Sequence, residues 1–226
     1  MTTLQDRARG SFIGLAIGDA LGSPTEGKTP DEITSRWGRV TDFLTDDQGG
    51  SDDTEYALFS AKLLLEKKRE LTSADVAKAW RRDIIKSDNA YKGAGFSEII
   101  AIANLSNGLQ PPQSGQHLHS WSDGLAMRVA PFGIALVGDP NLAANLSKIN
   151  GEVSNSGEGI YSGQAVAAAI SIAMTGAPLK KIIDAALNVV PKNSWTYNSI
   201  NQAVKIGYES TNVWSSLKPL HSSIAC

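Results

Sequence analysis

Residues 157–174 read GEGIYSGQAVAAAISIAM, and this stretch decides the fold. A surface helix shows a polar face at every turn, whereas this one is apolar nearly all round. It therefore predicts a buried central helix over 159–175. Around it, apolar residues recur at helical spacing and long alternating patterns are absent, so the chain reads as all-α. Helices are predicted over 4–21, 53 or 54 to 68, 74–85 (capped by Thr72 or Ser73), 93–107, 125–137, 179–190 and 197–209, with a short one at 30–37. Two Pro/Gly-rich loops, 23–51 and 107–124, separate them, and loops of such length are usually functional.

The 226 residues fit a single domain over 1–226, with neither an internal repeat nor a boundary. The net charge of -2 is spread in interspersed signs. That weighs against nucleic acid or an anionic membrane as a partner. The one cysteine, Cys226, excludes a disulfide framework and a cysteine metal site. A reducing, cytoplasmic setting fits best. The N-terminal segment carries Asp6, Arg7, Arg9 and Asp19 and reads as neither a signal peptide nor a membrane span.

The first predicted helix holds Gly10, Gly14 and Gly18. Each mid-helix glycine costs up to about 1 kcal/mol relative to alanine, which predicts close packing or a site there to offset it.

Three stretches could carry chemistry. In GGSDDTEY, residues 49–56, Asp52 and Asp53 open a helix. One reading is an N-cap favoured by the helix dipole. The other is a hard divalent cation held by Ser51, Asp52 and Asp53, since adjacent ionised acids repel unless a cation lies beside them. In IGDALGSPTE, residues 17–26, Asp19 ends the glycine-rich helix and Glu26 follows in the loop. In SWSDGLAMRVAPFG, residues 120–133, Ser122, Asp123 and Gly124 open a helix and Arg128 lies one turn on. That arrangement suits a phosphate, or simply a capped helix with a solvent-facing arginine. His117 and His119 read as surface residues, and Trp37, Trp80, Trp121, Trp195 and Trp214 as core or rim packing, with Trp121 and Tyr161 able to line a pocket.

The order of GSFIGLAIGDALGSPTE (10–26), GGSDDTEYAL (49–58), SDGLAMRVAPFG (122–133) and GEGIYSGQAVAAAISIAM (157–174) resembles the ADP-ribosylglycohydrolase family, the group of the dinitrogenase-reductase-activating glycohydrolases and ADP-ribosylhydrolases. The resemblance covers essentially the whole chain. It implies a compact, single-domain orthogonal helical bundle and hydrolysis of the bond between ADP-ribose and an acceptor, with a pair of Mg²⁺ or Mn²⁺ ions. By resemblance, Ser51, Asp52 and Asp53 are metal ligands, with serine where threonine is usual. Glu26 and Asp53 are the catalytic residues. Asp19, Ser122, Asp123, Gly124, Met127, Arg128, Gly159 and Tyr161 contact ADP-ribose or an ADP-ribosylated substrate.

Two departures accompany it. The family often carries an acid in a D-x-G-x-T pattern where this chain reads KGAGFSE, and a late D-x-D-T motif has no counterpart before HSSIAC. A truncated fold is therefore expected to expose apolar surface on the central helix, and to use a homodimer or a second chain to complete the metal site. A non-catalytic ADP-ribose-binding protein and an assembly protein are the competing readings.

Overall fold

A computed structural model describes residues 2–46, 48–87 and 94–224. The predicted helix start at 93 lies outside the described residues. Among those described, every regular element is helical. In chain order the helices are α1 (Leu4–Gly22), α2 (Pro30–Trp37), α3 (Asp52–Lys67), α4 (Ser73–Ala79), α5 (Phe96–Ser106), α6 (Ala130–Ala135), α7 (Pro140–Gly151), α8 (Glu158–Ala173), α9 (Leu179–Asn188), α10 (Trp195–Glu209) and α11 (Val213–Ile224).

Helix α8 is the centre, packed against α6, α7, α9 and the turn at Asp123–Arg128. Its small residues allow this. A Cβ on Gly163 would come within 2.4 Å of the Leu125 side chain, and one on Gly159 within 2.3 Å of the Ser120 carbonyl. Tyr56, Phe59, Leu63, Trp80, Leu125, Phe132 and Leu146 fill the main core, and a smaller cluster of Ala165, Ala186 and Val190 joins α8 to α9. No residue of α8 between 158 and 172 is exposed. The expected apolar surface on the central helix is therefore absent, because α7 and α9 cover it. Exposed apolar residues lie instead on other elements, among them α1 (Ile13, Ile17), α3 (Leu58, Leu65), α5 (Phe96, Ile99) and α11 (Val213, Trp214, Leu217).

Several expectations need correcting. The glycines of α1 are not crowded: around Gly10, Gly14, Gly18 and Gly22 an added Cβ would meet nothing within 4 Å. Helix α1 buries only Ala20, so their helical cost has no packing return among the described residues. The helix expected over 125–137 is split into a 3₁₀ segment, Asp123–Arg128, and the short α6. Pro131 supplies the reason, since it has no N–H to continue the α-helical ladder back through the turn before it. The segment 74–85 likewise changes to a π-turn over Trp80–Ile84 after α4. Helices α7 and α11 were not foreseen, although Asp139 as N-cap and Pro140 at the first helical position are ordinary start signals. Of the tryptophans only Trp80 is fully buried, while Trp121, Trp195 and Trp214 are about half exposed or more.

Candidate functional site

The acidic residues meet where the C-terminal turn of α1 faces the N-terminus of α3. Ser51 occupies the N-cap position of α3 but its side chain makes no capping bond. Asp19 does so from α1. Its Oδ2 accepts the Ser51 amide at 2.7 Å and the Thr54 amide at 3.1 Å, as well as the Thr54 hydroxyl, and its Oδ1 accepts the Ser51 hydroxyl at 2.6 Å. Burial alone would raise the Asp19 pKa, but these bonds hold it below the ordinary carboxylate value. Gly50 is required here, because a Cβ would lie 2.6 Å from the Thr54 hydroxyl.

With Asp19 engaged as the cap, α3 does not need Asp52 or Asp53 for that purpose, and Asp53 Oδ2 lies 3.4 Å from the Ser51 hydroxyl. A cleft of about 520 Å³ is lined by Gly14, Leu15, Gly18, Asp19, Gly22, Thr25, Glu26 and Asp53. Burial raises the pKa of Glu26, and the charges of Asp53, Asp19 and Asp123 raise it further. Burial also raises Asp53, helped by Asp52, Asp19 and Asp123. Asp52 is raised mainly by burial, with Glu26 and Glu98 adding to it. The structure thus gathers five carboxylates, Asp19, Glu26, Asp52, Asp53 and Asp123, into one field. A larger groove of about 790 Å³ shares Gly18, Gly22 and Thr25 with the cleft, but it is mostly apolar and no acid lines it, so the acid chemistry belongs to the smaller one.

Oxygen donors in a mutually repelling acidic cleft suit a hard divalent cation in kind. The set is open rather than closed. Among the described residues no group of three or more His, Cys, Asp or Glu side chains converges as a metal shell, and the Ser51 hydroxyl is already bonded to Asp19. Of the acids, Asp19, Glu26 and Asp53 line the cleft, and Asp19 is engaged with α3, so Glu26 and Asp53 are the two whose carboxylates could meet such an ion there.

The turn at 120–124 lies within electrostatic reach of the cleft, since the charge of Asp123 acts on Glu26 and Asp53. Ser122 is half-buried and Asp123 exposed. Behind them Arg128 is wholly buried. Its Nη1 donates to Glu98 Oε1 and to the Gly124 carbonyl, both at 2.7 Å, its Nε to Asn150 Oδ1 at 2.9 Å, and its Nη2 to Ser154 Oγ at 2.7 Å. The guanidinium also lies 5.3 Å from the Trp80 ring centroid and 5.8 Å from that of Tyr56. Gly124 has no room for a side chain, since a Cβ would sit 2.1 Å from Glu98 Oε1. Asn155 Nδ2 donates to the carbonyls of Ser120 and Ser122 at 3.2 and 3.0 Å, and Gly159 backs the same turn. Met127 and Tyr161 are partly buried against the core. His117 Nε2 contacts the Ser154 carbonyl at 3.0 Å, and His119 stacks on Phe96.

The sequence reading gives no role to Asn150, Ser154 and Asn155, nor to Ser97 and Glu98, which end the KGAGFSE stretch. Glu98 lies 30 residues from Arg128, and only the fold reveals that the arginine points inward.

An all-helical bundle with an acidic cleft beside a serine-glycine turn defines the class. The sequence model of the ADP-ribosylglycohydrolase family matches residues 1–224, and the chain belongs to that family. It is 32% identical over 176 residues to an uncharacterized protein of Archaeoglobus fulgidus, a match spanning 75% of this chain and 56% of that relative. The chain thus spans little more than half the length of the relative it matches. No helix among the described residues is long and apolar enough to cross a membrane.

Proposed function

We propose that the chain is a divalent-metal-dependent hydrolase that cleaves the glycosidic bond between ADP-ribose and a protein side chain or related acceptor. One observation carries the reading: Glu26 and Asp53 line the same cleft at the mouth of α3. A bound Mg²⁺ or Mn²⁺ would neutralise the acids and polarise oxygens near it. Glu26, raised by burial and by neighbouring negative charge, is suited to take the proton of the attacking water. The water oxygen adds to the anomeric carbon, the bond to the acceptor breaks, and the acceptor leaves with its electron pair and takes up the proton that Glu26 received from the water. Asp53 faces the developing positive charge of the ribose, and Ser122 with Asp123 contacts the ligand. Gly124 and Arg128 act from behind, holding that turn in place. Met127, Gly159 and Tyr161 shape its support.

Release of ADP-ribose from a mono-ADP-ribosylated peptide, with Mg²⁺ and with EDTA, tests the reading. Metal-dependent release supports it; equal release in EDTA contradicts it.

A second reading has its own observation. The absence of a closed acidic shell among the described residues favours a protein that binds ADP-ribose without turnover, or one completed by a second chain or a homodimer. Calorimetry with ADP-ribose separates these from the hydrolase, since a binder gives heat and no product.

A further inference from the structure

The hydrogen bonds behind the cleft have a direction. Glu98 and Arg128 are both wholly buried and paired at 2.7 Å. A carboxylate ionised against a guanidinium can only accept. Its second oxygen, Oε2, accepts the Ser97 hydroxyl at 2.7 Å. A hydroxyl has one proton, so Ser97 has only a lone pair left to offer. Ser122 Oγ donates to it, also at 2.7 Å. Its proton is committed too, and whatever meets the half-buried Ser122 from its open side meets lone pairs alone.

The surroundings reinforce this polarity. The adjacent Asp123 is exposed, and its charge reaches both Glu26 and Asp53. Ser122 is thus an acceptor in a negative field, although a serine at such a turn ordinarily reads as a donor to phosphate. We propose that Ser122 is a specificity-determining residue, fixed as an acceptor by the Ser97–Glu98–Arg128 chain, which takes a ribose hydroxyl of the ligand and turns away its phosphate oxygens. The inference rests on the ADP-ribose reading for its ligand, and it places the diphosphate away from the Ser122 side chain.

Neutron diffraction from a deuterated crystal reads the direction without any ligand. The Ser122 deuteron is expected on the line to Ser97; a deuteron pointing away from Ser97 overturns the proposal. The ligand arm uses calorimetry in EDTA. Ser97→Ala keeps the buried ion pair and lets the Ser122 hydroxyl rotate and donate as well as accept, so ADP-ribose binding should weaken, by up to about 5- to 10-fold, as the fixed orientation of one hydrogen bond is lost. Glu98→Gln presents an amide N–H₂ to Ser97 and reverses both hydroxyls. ADP-ribose should then bind more weakly and inorganic phosphate more tightly than in the wild type. A merely structural defect would weaken both. An unchanged ADP-ribose affinity in Ser97→Ala, where the wild type binds, overturns the proposal. No ADP-ribose heat in the wild type removes the substrate reading, and the deuteron positions still decide the polarity.

Discussion

Asp19 and Thr54 lie 35 residues apart, yet a single Asp19 oxygen accepts both the amide and the hydroxyl of Thr54. One acid of the cleft is thereby the missing cap of α3, and it fixes the angle at which Asp52 and Asp53 enter the site.

Replacing Asp19 by alanine should destabilise the protein by about 1–2 kcal/mol, the usual cost of a lost cap, which lowers Tm by about 2–8 °C. The pH dependence has a definite sign. The folded pKa of Asp19 lies below the ordinary value of 3.8, so its contribution is complete above that value and is lost as pH falls through the lower folded one. Thermal melts from pH 2 to 6 on wild type and variant check this: the two should converge at the acid end.

The remaining acids act in the opposite sense. Glu26, Asp52 and Asp53 have raised folded values, so their ionisation opposes folding when no cation is present. The metal-free protein should gain stability as pH falls from neutrality towards their ordinary values of 4.5 and 3.8. Asp53→Asn should raise Tm in EDTA at pH 7, and Mg²⁺ or Mn²⁺ should raise the wild-type Tm more than that of the variant. A lower Tm for Asp53→Asn in EDTA would contradict the repulsion.

Breaking the buried pair from one side should be severe. Glu98→Ala leaves the Arg128 charge unpaired among Tyr56, Trp80 and Asn150, at a cost of about 3–5 kcal/mol. Gly124→Ala pushes a methyl to within 2.1 Å of Glu98 Oε1 and should destabilise by about 2 kcal/mol or more. Urea unfolding of both variants measures these losses.

The glycines of α1 predict a gain. Gly10→Ala meets open space in a helical backbone and should stabilise by about 0.5–1 kcal/mol, roughly 1–4 °C in Tm. A destabilised variant would show that the face is covered in solution.

The helical class was legible because the 157–174 stretch leaves no polar face, and its partners were legible from their helical spacing. The Asp139–Pro140 start of α7 is an equally local signal. Other features were not local. Pro131 divides the predicted 125–137 helix, but the 3₁₀ form of the preceding turn also depends on Arg128 bonding inward to Gly124. Whether Arg128 faces a ligand or the core depends on Glu98, and whether Asp19 contacts a ligand or caps a helix depends on Ser51 and Thr54, all distant in sequence. The acidic motifs marked the cleft; their division of labour needed the packing.

The most direct measurement is the rate of ADP-ribose release from a mono-ADP-ribosylated peptide in Mg²⁺, compared between the wild type and Glu26→Gln, with ADP-ribose affinity measured alongside. The proposed chemistry predicts wild-type turnover and a loss of about 100-fold or more in kcat for Glu26→Gln, with affinity changed by no more than about threefold. Equal rates in the two proteins, or a wild type that binds ADP-ribose and releases none from the peptide, would contradict it.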